Sequence, residues 1–302
     1  MSKYLVFIFI INFVSCATSK DSSNGTVNLK IEKKIIKPIN LEVFKGKVKF
    51  IVFDVNENKG VFDLQCVEEG TQKPLKQTLP FEVRDGKGFI YYAESYFSLA
   101  KRHNCFFKED LILRISVQDY PYASEKLNVP KGKVTLSKKD LNRVIRERKV
   151  TKNIYANSAK ESFVRVPFIK PLDSFITSHY GKRRIFNNKK KSQHLGNDFR
   201  AKVGVPIPVS NRGRVAYVGD LFYTGNVVII DHGLNLFSLY AHLSKTSVKV
   251  GEMVDQGDIL GLSGMTGRVS GPHLHWGIKL NGHNVDGFSL VEESKNHFPN
   301  LN

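Results

Sequence analysis

Short apolar runs broken by Gly, Asn, Asp and Pro dominate the chain beyond its first residues. Val48, Phe50 and Val52 alternate with other positions, a second run covers 88–92, and Leu111, Leu113, Ile115 and Val117 repeat the alternation. A period of two marks half-buried strands, so residues 27–134 predict a small β-sandwich-like domain. Helical spacing takes over after Ser137, a favourable N-cap, with Leu141, Val144 and Ile145 set in a heavily charged stretch. Residues 135–162 therefore predict a linking helix with one solvated face, followed by a polar, irregular linker from Tyr155. From 163 to 291 the pattern is β again, rich in glycine, with runs at 215–218, 227–230, 236–240, 259–262 and 274–280. A glycine-rich antiparallel β domain is expected there, with 292–302 as a C-terminal tail. The fold class is mainly β, in two domains joined by a helix.

The first sixteen residues add a destination. Met1-Ser2-Lys3 precedes an apolar run over 4–14 and then Ser15-Cys16. A basic start, a short apolar run and a small residue at the exit describe a secretory signal peptide over 1–16. The run is shorter than the roughly 20 residues that a membrane-spanning helix needs. Phe13-Val14-Ser15-Cys16 also resembles a loose lipobox, with Phe where Leu is usual. Cys16 is then either the lipidated first residue of a membrane-anchored lipoprotein or part of a simple cleavage site. The Ser-, Asn- and Gly-rich stretch 17–26 reads as a flexible tether.

Export changes how cysteine and charge are read. Apart from Cys16 there are Cys66 and Cys105, an even number in an oxidising compartment. They form either a disulfide or two buried free thiols. A bond would close a separation of 39 residues, worth about 3–4 kcal/mol on the chain-entropy view. The net charge of +18 and pI near 9.7 favour anionic partners. An exported chain without a nucleic-acid-binding motif points away from nucleic acid, towards anionic lipid headgroups and polymers of the cell envelope.

The histidines are unevenly placed: eight of the nine lie at or beyond His179. His194-Leu195-Gly196-Asn197-Asp198 sets an imidazole and a carboxylate four apart around a glycine. Zinc accepts both donors, and on a strand-like path the two would share a face. A surface His beside a turn Asp would look the same. His273-Leu274-His275-Trp276 follows Gly271-Pro272, and alternate strand residues project their rings together. A solvated strand face remains the other reading of this motif by itself. In Tyr240-Ala241-His242-Leu243, at the end of an apolar run, a lone His would ordinarily be structural.

Together these three motifs resemble those of the lysostaphin-like, LytM-type zinc metallopeptidases of the duplicated hybrid motif fold. The quoted residues are His194-x-Gly196-x-Asp198-Phe199, Tyr240-x-His242-Leu243 and His273-x-His275-Trp276. Supporting matches are Gly204-Val205-Pro206, Gly225-Asn226, Asp231-His232-Gly233 and Gly257-Asp258 followed by Gly261 and Gly264. The resemblance covers 163–291, which makes that region a peptidase domain. The preceding β domain and helix resemble the N-terminal module of many exported members.

The resemblance implies one zinc ion per chain, with His194, Asp198 and His275 as metal ligands and His242 and His273 as catalytic histidines beside them. It implies a zinc metalloendopeptidase that hydrolyses peptide cross-links or stem peptides of bacterial peptidoglycan. A β domain behind a lipobox-like start suits a periplasm, which favours the D-alanyl–diaminopimelate cross-link. The alternative is a catalytically inert LytM-type adaptor that activates cell-wall amidases, although such adaptors characteristically lack the ligands present here. The remaining histidines receive modest expectations: His232 in a turn, His179 in a loop, and His103, His283 and His297 at the surface. Tyr240 is expected in the core. The basic run 182–191 is expected to be a solvated loop.

Overall fold

The computed structural model describes residues 36–298 apart from 70–75, 128–135 and 187–189. The expectations for the signal peptide, Cys16 and the tether lie outside the described residues.

The alternating N-terminal runs form β1 (Ile39–Phe44), β2 (Val48–Asp54), β3 (Lys59–Glu68), β4 (Lys76–Arg84), β5 (Lys87–Ala93), β6 (Arg102–Phe107) and β7 (Asp110–Gln118). Hydrogen bonding is continuous through all seven in the order β1-β7-β6-β3-β4-β5-β2. Val43 of one end strand and Ile51 and Phe53 of the other belong to a single core cluster with Leu64, Leu79, Phe81 and Leu113. The sheet therefore bends back on itself, so that strands line its core from both sides in sandwich-like fashion. Cys66 and Cys105 stand directly opposite each other on β3 and β6 and are disulfide-bonded. The alternation of Val48, Phe50 and Val52 marks the outer face of β2, not the inner one. Val48 joins the core of the C-terminal half, while Val52 stays 42% exposed.

β8 (Ser124–Leu127) leaves this module, and α1 (Lys138–Ala156) follows, its first turn capped where Ser137 Oγ accepts the Asp140 amide hydrogen. Of the expected stripe, Val144 is buried while Leu141 and Ile145 are exposed. The charged face is anchored instead: Arg143 pairs with Glu147 and with Asp220, and Glu147 accepts the amide hydrogen of Phe222. Tyr155, expected in an irregular linker, lies in the last turn of α1 and packs its ring 5.1 Å from that of Phe237. The linker after it is pinned by the fully buried Asp231, which accepts from Ser158 Oγ and the Ala159 amide.

The C-terminal half contains β9 (Ile176–Ser178), β10 (Arg183–Phe186), β11 (Lys190–Gln193), β12 (Asn197–Arg200), β13 (Pro206–Pro208), β14 (Gly213–Leu221) and β15 (Gly225–Gly233). It continues with β16 (Leu236–Leu243), β17 (Lys245–Thr246), β18 (Met253–Val254), β19 (Ile259–Leu262), β20 (His273–Leu280), β21 (His283–Val285) and α2 (Gly287–His297). The main sheet runs β18-β14-β15-β16-β20-β12-β9, with β21 added to β20, and a small sheet runs β13-β19-β17. Leu274, Trp276, Ile278 and Leu280 of β20 share a core with Ile207 of β13 and Leu260 of β19. In the basic run, β10 pairs with β11 and with β8 from the first module. Lys182 and Arg184 are not simply solvated there: both pair with Glu125 of β8.

Residues 292–302 were expected as a tail, yet α2 continues to His297 and buries Leu290 and Ser294. This helix covers the free edge of β2. Ser289 Oγ accepts the Val48 amide hydrogen at 2.9 Å, Glu293 accepts that of Phe50 at 3.0 Å, and Asp286 at the N-cap holds Lys47 at 2.7 Å. Unpaired edge amides invite association with other strands, and here the helix satisfies them. Gly46, in the turn before β2 at φ 78°, fits where a Cβ would come within 2.8 Å of both Tyr122 and Tyr180.

Candidate metal centre

Strand pairing assembles the site. β12 and β20 are antiparallel, with Asp198 opposite His275 and Arg200 opposite His273. β16 lies on the other side of β20 and brings Ala241 opposite His275, so His242 follows at the strand's end. Residues opposite each other share a face, which places Asp198, His273 and His275 on one side while Leu274 and Trp276 anchor the strand in the core. His194 reaches the same point differently. It lies between β11 and β12, outside either strand, so its meeting with Asp198 comes from the chain turning at Gly196 and not from strand alternation.

Three donor atoms converge. His194 Nε2 is 3.0 Å from Asp198 Oδ1 and 3.1 Å from His275 Nδ1, and His275 Nδ1 is 2.7 Å from the same carboxylate oxygen. On its other side His194 Nδ1 lies 3.0 Å from the carbonyl oxygen of His179. A carbonyl only accepts, so a neutral His194 carries its hydrogen on Nδ1 and turns the Nε2 lone pair inward. That lone pair faces a carboxylate and a second ring nitrogen. Electron pairs so disposed repel unless a proton or a cation lies among them. Two imidazoles and one carboxylate, with an orienting carbonyl behind, are the donor set that a zinc ion takes. The residues fit the metal.

Burial alone would raise the Asp198 pKa. The hydrogen bonds from His194 and His275, and their charge, outweigh it and hold the carboxyl well below the usual range. Burial lowers the pKa of His275, against the pull of Asp198.

The remaining two histidines stand beside this group. The rings of His242 and His273 are 4.7 Å apart, and His242 lies 5.9 Å from His275. His242 Nδ1 donates to Thr266 O at 2.9 Å and His273 Nδ1 to Gly271 O at 2.8 Å. Each ring thereby turns Nε2 away from its carbonyl, and that of His273 stands 3.8 Å from Asp198 Oδ1. Burial, then the neighbouring His275 and His273, lower the His242 pKa to about 4. The backbone of His242 is left-handed, at φ 63°, an unfavourable conformation for any residue with a Cβ.

All five residues singled out in the sequence meet here. Other expectations change. His232 is fully buried on β15, bridging Arg212 O and Ser238 Oγ at 2.8 Å each. Tyr240 is buried as expected, and its hydroxyl accepts the Ser210 amide hydrogen. His103 is not at the surface but pairs with Glu94 in the N-terminal module at 2.8 Å. His297 is stacked 4.5 Å from the Phe50 ring and bonded to Arg84 and Tyr91. The carbonyls of His179, Thr266 and Gly271, which orient three of the five rings, carried no signal in the sequence.

The pattern of peptidase family M23 matches residues 192–287. Peptidoglycan DD-endopeptidase ShyA of Vibrio cholerae is 41% identical over 119 residues, 38% of this chain and 28% of ShyA. DD-carboxypeptidase/endopeptidase Mpg of Neisseria meningitidis is 39% identical over 98 residues, 32% of this chain and 23% of Mpg. The chain thus spans well under a third of these relatives. A crystal structure from Pseudomonas aeruginosa assigned to peptidase M23 superposes over 86% of this chain and 97% of its own, at TM-score 0.60 and 26% identity. That superposition extends the likeness beyond the matched region to the N-terminal module.

Proposed function

From a chain whose residues 192–287 match the pattern of peptidase family M23, we propose a zinc metalloendopeptidase that hydrolyses the peptide cross-links of bacterial peptidoglycan. The observation that carries this reading is the convergence of His194 Nε2, Asp198 Oδ1 and His275 Nδ1 at 2.7–3.1 Å, with two further imidazoles alongside. His194, Asp198 and His275 would hold the ion. Zinc bound there supplies Lewis acidity, polarising a peptide carbonyl and acidifying water near neutral pH.

The chain's own residues do the rest. The His179 carbonyl fixes the His194 tautomer. His242, whose pKa burial and then the adjoining His275 and His273 hold low, accepts a proton at Nε2. His273, oriented by Gly271 O, offers its Nε2 on the same side, where it steadies charge that develops on the substrate. Relatives bearing the name DD-endopeptidase support the D-alanyl–diaminopimelate cross-link as the bond. The same reading has the protein exported to the periplasm, free or anchored through Cys16.

The test is digestion of purified sacculi by the zinc-loaded protein, with products identified by mass spectrometry. Monomeric muropeptides should replace cross-linked dimers, and a chelator should stop the reaction. Zinc-loaded protein that opens no cross-link in any wall chemotype would overturn the reading.

A further inference from the structure

Beyond the metal centre, the histidine-bearing face of β20 continues. His273, His275, Gly277 and Lys279 alternate along one side of the strand. A cleft of about 150 Å³ follows that face, lined by Leu195, Thr224, His275, Lys279, Asn284 and the α1 residue Tyr155. Its wall is tied to the catalytic group, since Thr224 O accepts the His242 amide hydrogen at 2.8 Å.

Lys279 is unusual for a lysine of a highly basic chain. Its ammonium sits 4.9 Å over the Tyr155 ring and faces no carboxylate among the described residues, and burial lowers its pKa. The ring face offsets part of the lost hydration. A half-buried cation left without a counter-ion, at the end of a cleft that opens on a reactive centre, suits an anion arriving with the substrate.

We propose that Lys279 binds a free carboxylate of the substrate peptide in the cleft that leads from His275. This rests on the peptidoglycan reading, whose stem peptides carry several such groups. Lys279 lies four strand steps beyond His275, a span of roughly 13 Å, so the carboxylate lies a few residues from the bond that is cut.

The probe is the synthetic stem tetrapeptide of alanine, γ-linked glutamate, diaminopimelate and alanine. It is used with all carboxylates free and in versions with one carboxylate amidated at a time. Binding to the full zinc-loaded chain is measured by calorimetry, a readout independent of turnover. One amidation should weaken binding to the unaltered protein by roughly tenfold or more. Lys279→Met should bind the free acid as weakly as the unaltered protein binds that amide, Lys279→Arg should restore the preference, and Lys249→Met, at an exposed position, should keep it.

Equal binding of every amide, or a preference that persists in Lys279→Met, overturns the assignment. The comparison of amides needs no variant and survives a variant that fails to fold. Cleavage of cross-linked dimers without any Lys279 effect sinks this assignment alone. Neither cleavage nor binding would sink the peptidase reading with it.

Discussion

Gly196 lies against the ring of His275, so closely that a Cβ at position 196 would stand 2.6 Å from both Cε1 and Nε2. Gly196→Ala should therefore displace the ring away from Asp198 and His194. We expect zinc affinity to fall by on the order of 10–100-fold, as when a metal ligand loses its support, with the fold retained. Competition titration against a chromophoric chelator reads the affinity, and an unchanged value would show that the ring yields without cost.

Ligands and catalytic histidines separate by metal content. His194→Ala should lose zinc and activity together, while His242→Ala should retain one zinc per chain and lose turnover. Elemental analysis of the two purified variants decides between the roles. A zinc-free His242→Ala would mean that its role is wrongly assigned.

The left-handed backbone at His242 (φ 63°) reverses an ordinary ranking. Glycine normally destabilises relative to alanine, but at such a backbone angle it relieves strain of about 1 kcal/mol. His242→Gly should be more stable than His242→Ala by about that amount in denaturant unfolding, though both are inactive. Equal midpoints would argue that no strain resides there.

The Cys66–Cys105 bond closes a 39-residue separation within the first module. Replacing both cysteines by serine should cost about 3–4 kcal/mol, seen as a lower unfolding midpoint. A drop well under 1 kcal/mol would indicate that β-sheet packing alone constrains this segment.

Acid should weaken the fold through buried histidines. Burial, opposed by the hydrogen bond to Arg212, lowers the His232 pKa to about 4, and burial together with Arg84 and Arg165 lowers that of His297 to about 3. Both lie below the unfolded value near 6.5, so between these limits the unfolded chain binds more protons. Their contribution is complete above about pH 6.5 and is lost as pH falls through the folded values. For His232 this amounts to about 3 kcal/mol, at roughly 1.4 kcal/mol per unit. Denaturant unfolding at pH 7, 5.5 and 4.5 should show the decline, and His232→Gln should flatten it.

Side-chain chemistry was legible in the sequence, and backbone chemistry was not. His194, Asp198, His242, His273 and His275 were legible because their three motifs together resemble those of the LytM-type peptidases, while each motif alone left an ordinary structural reading open. The carbonyls of His179, Thr266 and Gly271 belong to every residue type and gave no hint. His103 and His297 read as surface because a lone histidine is buried only when distant residues, here Glu94 for one and Arg84 and Tyr91 for the other, satisfy its nitrogens. Strand alternation located β2 correctly yet could not say which face met which core, since Val48 and Phe50 turn outward to α2 while Ile51 and Phe53 turn inward. The last turns of α2, from 292, were expected as a tail because the helix's buried positions, Gly287, Leu290 and Ser294, make too short a stripe to stand out.

The hold of Ser289, Glu293 and Asp286 on Val48, Phe50 and Lys47 limits how this architecture can be recombined. A fragment started at 163 would carry a helix whose acceptors have no strand to serve. A fragment ended before α2 would expose two bare amides on a hydrophobic edge, an opening for self-association. Exchange of N-terminal modules between related chains is restricted in the same way. A replacement must present a strand edge in matching register, with a cation aligned on the helix's first turn, or the graft will behave as two loosely tethered bodies.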